Sequence, residues 1–403
     1  MSSLLFPALP GIGFDVVRNY QWKTAVQEAI SGKQTAVGLR QYPLVHYELV
    51  INLMRHFLNP SELLQIQGLY NQMQGRADTF LYNDPDFNTV TLMPFAVPNG
   101  TATAFQTTAT FQNTGGPGGA EIIQNFNGTP TYYLNRFGFN EQLAIGLKQN
   151  LLLQSQALDN ASWTKTNVTI TPNTVVAPDG TTTMDYIVES TSTNVQHIVS
   201  QSVTVPSGAS IYTVSFFVKP NARNWVLLNI AEATGGTTVN AWFNISTGAI
   251  GTIQTGANWA SASATITAVP DDAGVYRISL TATKTNAATV LTIGLYSSTG
   301  DTISTYTGTA TTIATVAWGA QFENFNFASL YVPTTTAIVS QTDYTLGVTG
   351  IITTGFTPNA NSLLSWSGSF YYRCRFDDDE VVWTKFMYSH WMVKKLGFTS
   401  VKL

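Results

Sequence analysis

Apolar and polar residues alternate along most of this chain with the two-residue period of half-buried β-strands. The plainest early example is "YPLVHYELVINLMRHF" (Tyr42 to Phe57), a long strand or strand pair rich in apolar and aromatic residues. One segment breaks the period. In "NPSELLQIQGLYNQM", Leu63, Ile66, Tyr70 and Met73 recur at helical spacing. Asn59 is the expected N-cap, with Pro60 at the first helical position and Glu62 at the third, so a helix is predicted over about 59–74, with Gly75 as its stop. The chain then returns to strand through an Asn-Asp-Pro-Asp turn, and "NTGGPGGAE" (Asn113 to Glu121) reads as a loop tip.

From about residue 150 short alternating strands follow one another between Gly, Pro, Asn and Asp turns, the pattern of a sandwich or jelly roll. Parity assigns their faces. In "WVLLNI", Val226, Leu228 and Ile230 point inward and leave Trp225 and Asn229 outside. In "VNAWFNI", Val239, Ala241, Phe243 and Ile245 share the inner face, opposite Asn240, Trp242 and Asn244. The same rule puts Arg277 and Tyr296 outside their strands. Trp225, Trp242, Tyr296, Arg277, Asn240 and Asn244 are therefore candidate glycan contacts. Aromatic rings stack on the apolar C–H face of a pyranose, while amides and guanidinium bond its hydroxyls. Trp163 and Trp318 lie in apparent opening and closing strands and read as core.

Charge divides the chain. Residues 150–341 hold 5 Lys/Arg and 9 Asp/Glu, while the much shorter stretch 342–403 holds 6 and 5. The two ends resemble each other more than either resembles the middle, as expected of a scaffold interrupted by an inserted module. Charged residues are only 10% of the whole and the net charge is −4, which provides no electrostatic footprint for nucleic acid. No apolar run reaches the length of a membrane-spanning helix, and the opening residues lack the order of a secretory signal.

No catalytic constellation emerges. His46, His56, His197 and His390 have no zinc-binding spacing, no nucleophile elbow is present, and no two carboxylates stand out as a glycosidase pair. The single cysteine, Cys374, reads as a buried thiol. The acidic run Asp377 to Glu380 lies between "YYRCRF" and "VVWTKFMY". It lacks the alternation and glycine of a calcium loop and is expected to be the tip of a hairpin formed by those two strands.

The stretch "FPALPGIGFDVVRNYQWKTAVQEAISGKQTAVGLRQYPLVHYELVINLMR", with "GRADTFLYNDPDFNTV" and the C-terminal "LLSWSGSFYYRCRFDDDEVVWTKF", resembles the distal tail proteins of phages and gene-transfer agents. The resemblance covers roughly 1–140 and 342–403 and implies a β-barrel-type scaffold that forms a ring, usually a hexamer. That ring would join the tail tube protein to the baseplate hub protein at the virion tail tip, after synthesis in the host cytoplasm. Residues 141–149 then form a linker. Within 150–341, "NLLLQSQALDNASWTK", "YTVSFFVKP", "NAWFNISTG" and "WGAQFENFNFASLYVPT" are similar to carbohydrate-binding jelly rolls of virion proteins. That similarity implies binding to host-surface carbohydrate; no cofactor is expected, and without a long apolar run no membrane insertion is expected. Some such jelly rolls hold a structural calcium, but no residue here identifies its ligands. A purely architectural insert and a polysaccharide-degrading enzyme are the competing expectations.

Overall fold

The computed structural model describes residues 3–9, 15–40, 42–58, 60–110, 120–233, 236–309 and 311–402. The glycine cluster is thus largely outside the described residues, as is Asn59. The chain is mainly β, with antiparallel sheets and a single described helix.

The helix spans Glu62–Gln72 and starts later than its sequence suggests. Ser61 is the N-cap and Pro60 precedes the helix: the Ser61 hydroxyl accepts from Leu64 N at 3.3 Å. Glu62 is consequently the first helical residue. Its carboxylate turns back to accept from Arg55 N at 2.8 Å and Arg55 Nε at 2.9 Å. Leu63, Ile66, Leu69, Tyr70 and Met73 are buried in the core formed with strand Leu44–Arg55, as the helical spacing requires.

That strand belongs to a sheet ordered Asp15–Gln21, Leu44–Arg55, His390–Ser400, Tyr372–Phe376, Phe80–Tyr82, with Thr384–Met387 also pairing with His390–Ser400. A second sheet is ordered Asn140–Gln142, Phe126–Asn135, Leu363–Phe370, Thr89–Ala96. Both sheets mix residues from the two ends of the chain, and both are open. No closed barrel forms among the described residues, which corrects the barrel expectation.

The acidic run is also corrected. Tyr372–Phe376 and Thr384–Met387 do not pair with each other; each pairs with His390–Ser400. The C-terminal strand supplies a longer partner to both, so Asp377 to Glu380 form a connection along the sheet rather than a hairpin tip. This connection is pinned. Asp377 accepts from Thr399 Oγ1 at 2.5 Å and lies 3.0 Å from His46 Nδ1. Asp378 O accepts from Tyr70 OH at 2.9 Å, and Asp379 Oδ1 accepts from Arg76 N at 2.9 Å.

The middle of the chain forms two six-stranded antiparallel sheets. One is ordered Thr164–Thr166, His197–Thr204, Val290–Ser298, Trp225–Glu232, Thr238–Asn244, Ala249–Thr255. The other is ordered Val168–Val176, Thr182–Glu189, Ile313–Glu323, Ser210–Pro220, Tyr276–Lys284, Trp259–Ala268. Their inner faces share a core in which Val226, Leu228, Ile230, Val239, Ala241 and Phe243 meet Val214, Phe216, Ile278 and Leu280. Trp163 belongs to this core, with its indole N–H donating to Gln154 O at 3.0 Å. Each fully buried aliphatic side chain contributes roughly 1.5–3 kcal/mol, enough to hold the alternation in register.

A separate core gathers residues between Phe6 and Leu143 with Leu330 and residues between Tyr344 and Phe398. In a third, smaller cluster Phe137 packs with Phe217, Trp318 and Tyr331. The outgoing and returning chain segments pair side by side, Leu147–Asn150 against Val339–Thr342. Thr24–Glu28 and Gln34–Gly38 form a two-stranded hairpin whose residues are all exposed.

Candidate functional site: a polar groove on one sheet

The outer face of the sheet containing Trp225–Glu232 carries a groove of about 200 Å³. Strand register sets its floor. Leu227 lies opposite Trp242 on one side and Tyr296 on the other. Two residues along, Asn229 lies opposite Asn240 and Gly294, and Asn240 faces Gln254. The inward commitment of Val226, Leu228 and Ile230 to the core forces these neighbours outward. Gln196, Thr238, Thr302 and Ser304 complete the lining.

The amides are ordered by one another. Asn229 Nδ2 donates to Asn240 Oδ1 at 2.6 Å, and Asn240 Nδ2 donates to Thr238 Oγ1 at 3.3 Å. Since each amide both donates and accepts, the row can bond a hydroxyl in either sense. Tyr296 is half-buried, and burial pushes its hydroxyl above the usual tyrosine range, keeping it protonated. Its ring leans over Gly294, where an added Cβ would lie 2.8 Å from Tyr296 Cε2 and 2.9 Å from Ile198 Cδ1. Glycine inside a strand marks such close approaches, and "VLTIGLYSS" carried that signal.

The remaining candidates are placed elsewhere or bound to the fold. Trp242 lines the groove but is only 2% exposed, and its Nε1 donates to Ile303 O at 3.1 Å. Ser298 Oγ donates to the same carbonyl at 2.7 Å. Together they hold the 299–304 loop over one end of the groove. Trp225 packs where that loop meets strand Ala249–Thr255. A Cβ on Gly251 would lie 2.7 Å from the Trp225 ring and 2.6 Å from Asp301 Oδ1. Asp301 itself accepts from Thr252 N and Thr252 Oγ1, both at 2.9 Å.

Asn244 closes a turn: its Oδ1 accepts from Ser246 N at 3.1 Å and Thr247 N at 3.2 Å. Arg277 is on the other sheet and only 5% exposed. Its guanidinium donates to Glu141 Oε1 at 3.1 Å, Ser215 Oγ at 3.1 Å and Ser329 O at 2.7 Å. Parity put Arg277 on the outer face of its own sheet, but residues 141 and 329 cover that face. The structure thus brings Asn240, Trp242 and Tyr296 together in one groove, adds Leu227, Asn229, Gln196, Gln254 and Gly294, and separates Arg277 from them.

Each histidine is engaged within the fold. His46 meets Asp377, His56 Nδ1 lies 3.2 Å from Ser61 Oγ, His197 stacks on Tyr306, and His390 Nδ1 lies 2.7 Å from Tyr388 O. Among the described residues no group of three or more His, Cys, Asp or Glu is placed to hold a metal ion. Burial pushes the Cys374 thiol well above its ordinary range. No helix among the described residues is long and apolar enough to cross a membrane. No family model matches the sequence, and neither does any curated protein.

Proposed function

We propose that this chain is a structural tail-tip protein of a phage or gene-transfer agent, built from a ring-forming scaffold (1–140 with 342–403) and an inserted glycan-binding module (150–341). The observation that carries the glycan reading is the groove, which places a half-buried tyrosine beside a row of ordered amides on an open sheet face. Here one apolar ring surface and several two-way hydrogen-bonding groups converge on one concavity, which is what a saccharide requires.

Assembly is supported by the hairpin Thr24–Gly38. An isolated two-stranded ribbon is marginal in water, yet this one exposes Val26, Ile30 and Val37 along its length. A neighbouring copy in a ring would cover it, and the tail tube and hub would meet the ring's two faces. Multiple copies also make a weak sugar site effective, because second and later contacts form at high effective concentration.

The test is electron microscopy of the full chain beside a variant in which residues 24–38 are replaced by a short Gly-Ser link, with binding to host cells measured in parallel. Rings for the parent, none for the variant, and cell binding by the parent are the expected results. Cell binding that survives Tyr296→Ala and Asn240→Asp unchanged would remove the groove from the proposal.

A further inference from the structure

The groove's lining contains no charged side chain. Gln196, Asn229, Asn240, Gln254, Thr302 and Ser304 supply its polar groups, and Leu227, Trp242 and Tyr296 its apolar ones. Asp301, the neighbour in sequence of the lining residue Thr302, is an anion fixed by Thr252 beside Trp225 at the looped end. A uronate or sialate carboxylate placed here would lose part of its hydration without gaining a cation. A neutral ring loses only hydroxyl hydration, which the amides replace.

Size narrows the ligand further. At about 200 Å³ the groove is smaller than the roughly 300–1,000 Å³ of a drug-sized pocket, so it matches a single sugar ring, with neighbouring units outside. Only one aromatic in it is part-exposed. Trp242 is buried and its N–H is committed to Ile303, leaving Tyr296 as the stacking surface. Gly294 sets that surface, because any Cβ there would collide with the ring edge.

We infer that the groove binds one uncharged pyranose unit of a neutral polysaccharide, stacked on Tyr296 and bonded by Asn229 and Asn240, and that it rejects acidic glycans. This inference rests on the glycan-binding reading of the same groove. Gly294 is its positioning residue, acting through the tyrosine.

The experiment is affinity electrophoresis and calorimetry of the full chain against two sets of probes. Neutral probes are glucans, galactans, mannans and N-acetylglucosamine oligomers; acidic probes are polygalacturonate, hyaluronate and polysialate. The expected result is binding to at least one neutral probe, insensitive to salt, and none to the acidic set. Tyr296→Ala should weaken that binding by about tenfold or more. Asn240→Asp, which removes the amide donor that bonds Thr238 and adds a charge to the lining, should weaken it too, with circular dichroism showing that the variant is folded.

Binding to acidic probes alone would overturn the neutral-ligand inference while leaving a glycan module in place. Failure of both sets would overturn the glycan reading with it. Neutral binding unchanged in both variants would place the site elsewhere and overturn the assignment to this groove.

Discussion

Lys148 Nζ lies 3.0 Å from Asp343 Oδ2, and both side chains are almost completely buried where the outgoing and returning strands pair. Lys148 also donates to Ser329 Oγ at 2.8 Å and to Leu330 O. Asp343 accepts in addition from Ala144 N at 2.8 Å and Gln341 Nε2 at 2.8 Å. The pair is therefore embedded in hydrogen bonds that use the remaining ammonium donors and carboxylate acceptors. Arg277 and Arg136 meet Glu141 close by, and Glu323 accepts from Ser329 N at 2.9 Å. Cations and anions alternate through this junction, which fixes the sandwich to the strands before and after it.

Breaking one partner of such a pair should be costly. Lys148→Met leaves Asp343 buried without its cation, and a loss of about 3–5 kcal/mol is expected in urea unfolding. Joining it with Asp343→Leu should recover part of that loss, because no unpaired charge then remains. Equal stability of the single and double variants would contradict the pairing.

Trp242 should matter to stability before it matters to binding. Truncation to alanine removes a fully buried ring and the anchor of the 299–304 loop, for an expected loss of about 3–5 kcal/mol. Trp242→Phe keeps most of the packing and should lose about 1 kcal/mol with the hydrogen bond to Ile303. Thermal melts of the two variants test this, and an unchanged melting temperature for the alanine variant would show that the loop is held by other contacts.

Asp185 gives a pH signature. Its carboxylate is fully buried and accepts from Leu158 N at 2.7 Å and Asn173 N at 3.0 Å. Burial pushes it from 3.8 up to about 6, with the two backbone donors opposing that rise and Asp159 and Lys165 contributing less. The native state therefore holds this proton more tightly than the unfolded chain. Below the unfolded pKa the group costs nothing. Stability falls as pH rises from about 4 to about 6, by up to about 3 kcal/mol, and stays reduced above that window. Asp185→Asn cannot ionise, so its unfolding free energy relative to the parent should increase between about pH 4 and about pH 7. A difference independent of pH would show that Asp185 does not titrate in this range.

Local order was legible in the residues themselves. The two-residue period placed Val226, Leu228, Ile230, Val239, Ala241 and Phe243 on the inner face, and all are core. The three-and-four spacing of Leu63, Ile66, Tyr70 and Met73 marked the one described helix and its buried side. These patterns are repeats of backbone geometry, and a few neighbouring residues suffice to express them.

Coverage was not legible, because it depends on segments far away in sequence. Nothing near Arg277 announces that Glu141 and Ser329 will close over it. Nothing near Trp242 shows that Ile303 will take its N–H. The acidic run looked like a hairpin tip until the C-terminal strand His390–Ser400 paired with both of its flanks. Alternation by itself determined which way each strand faces. Only tertiary packing decided which outward side chains meet solvent, and so which of the six candidates, Asn240, Trp242 and Tyr296, converge on one groove.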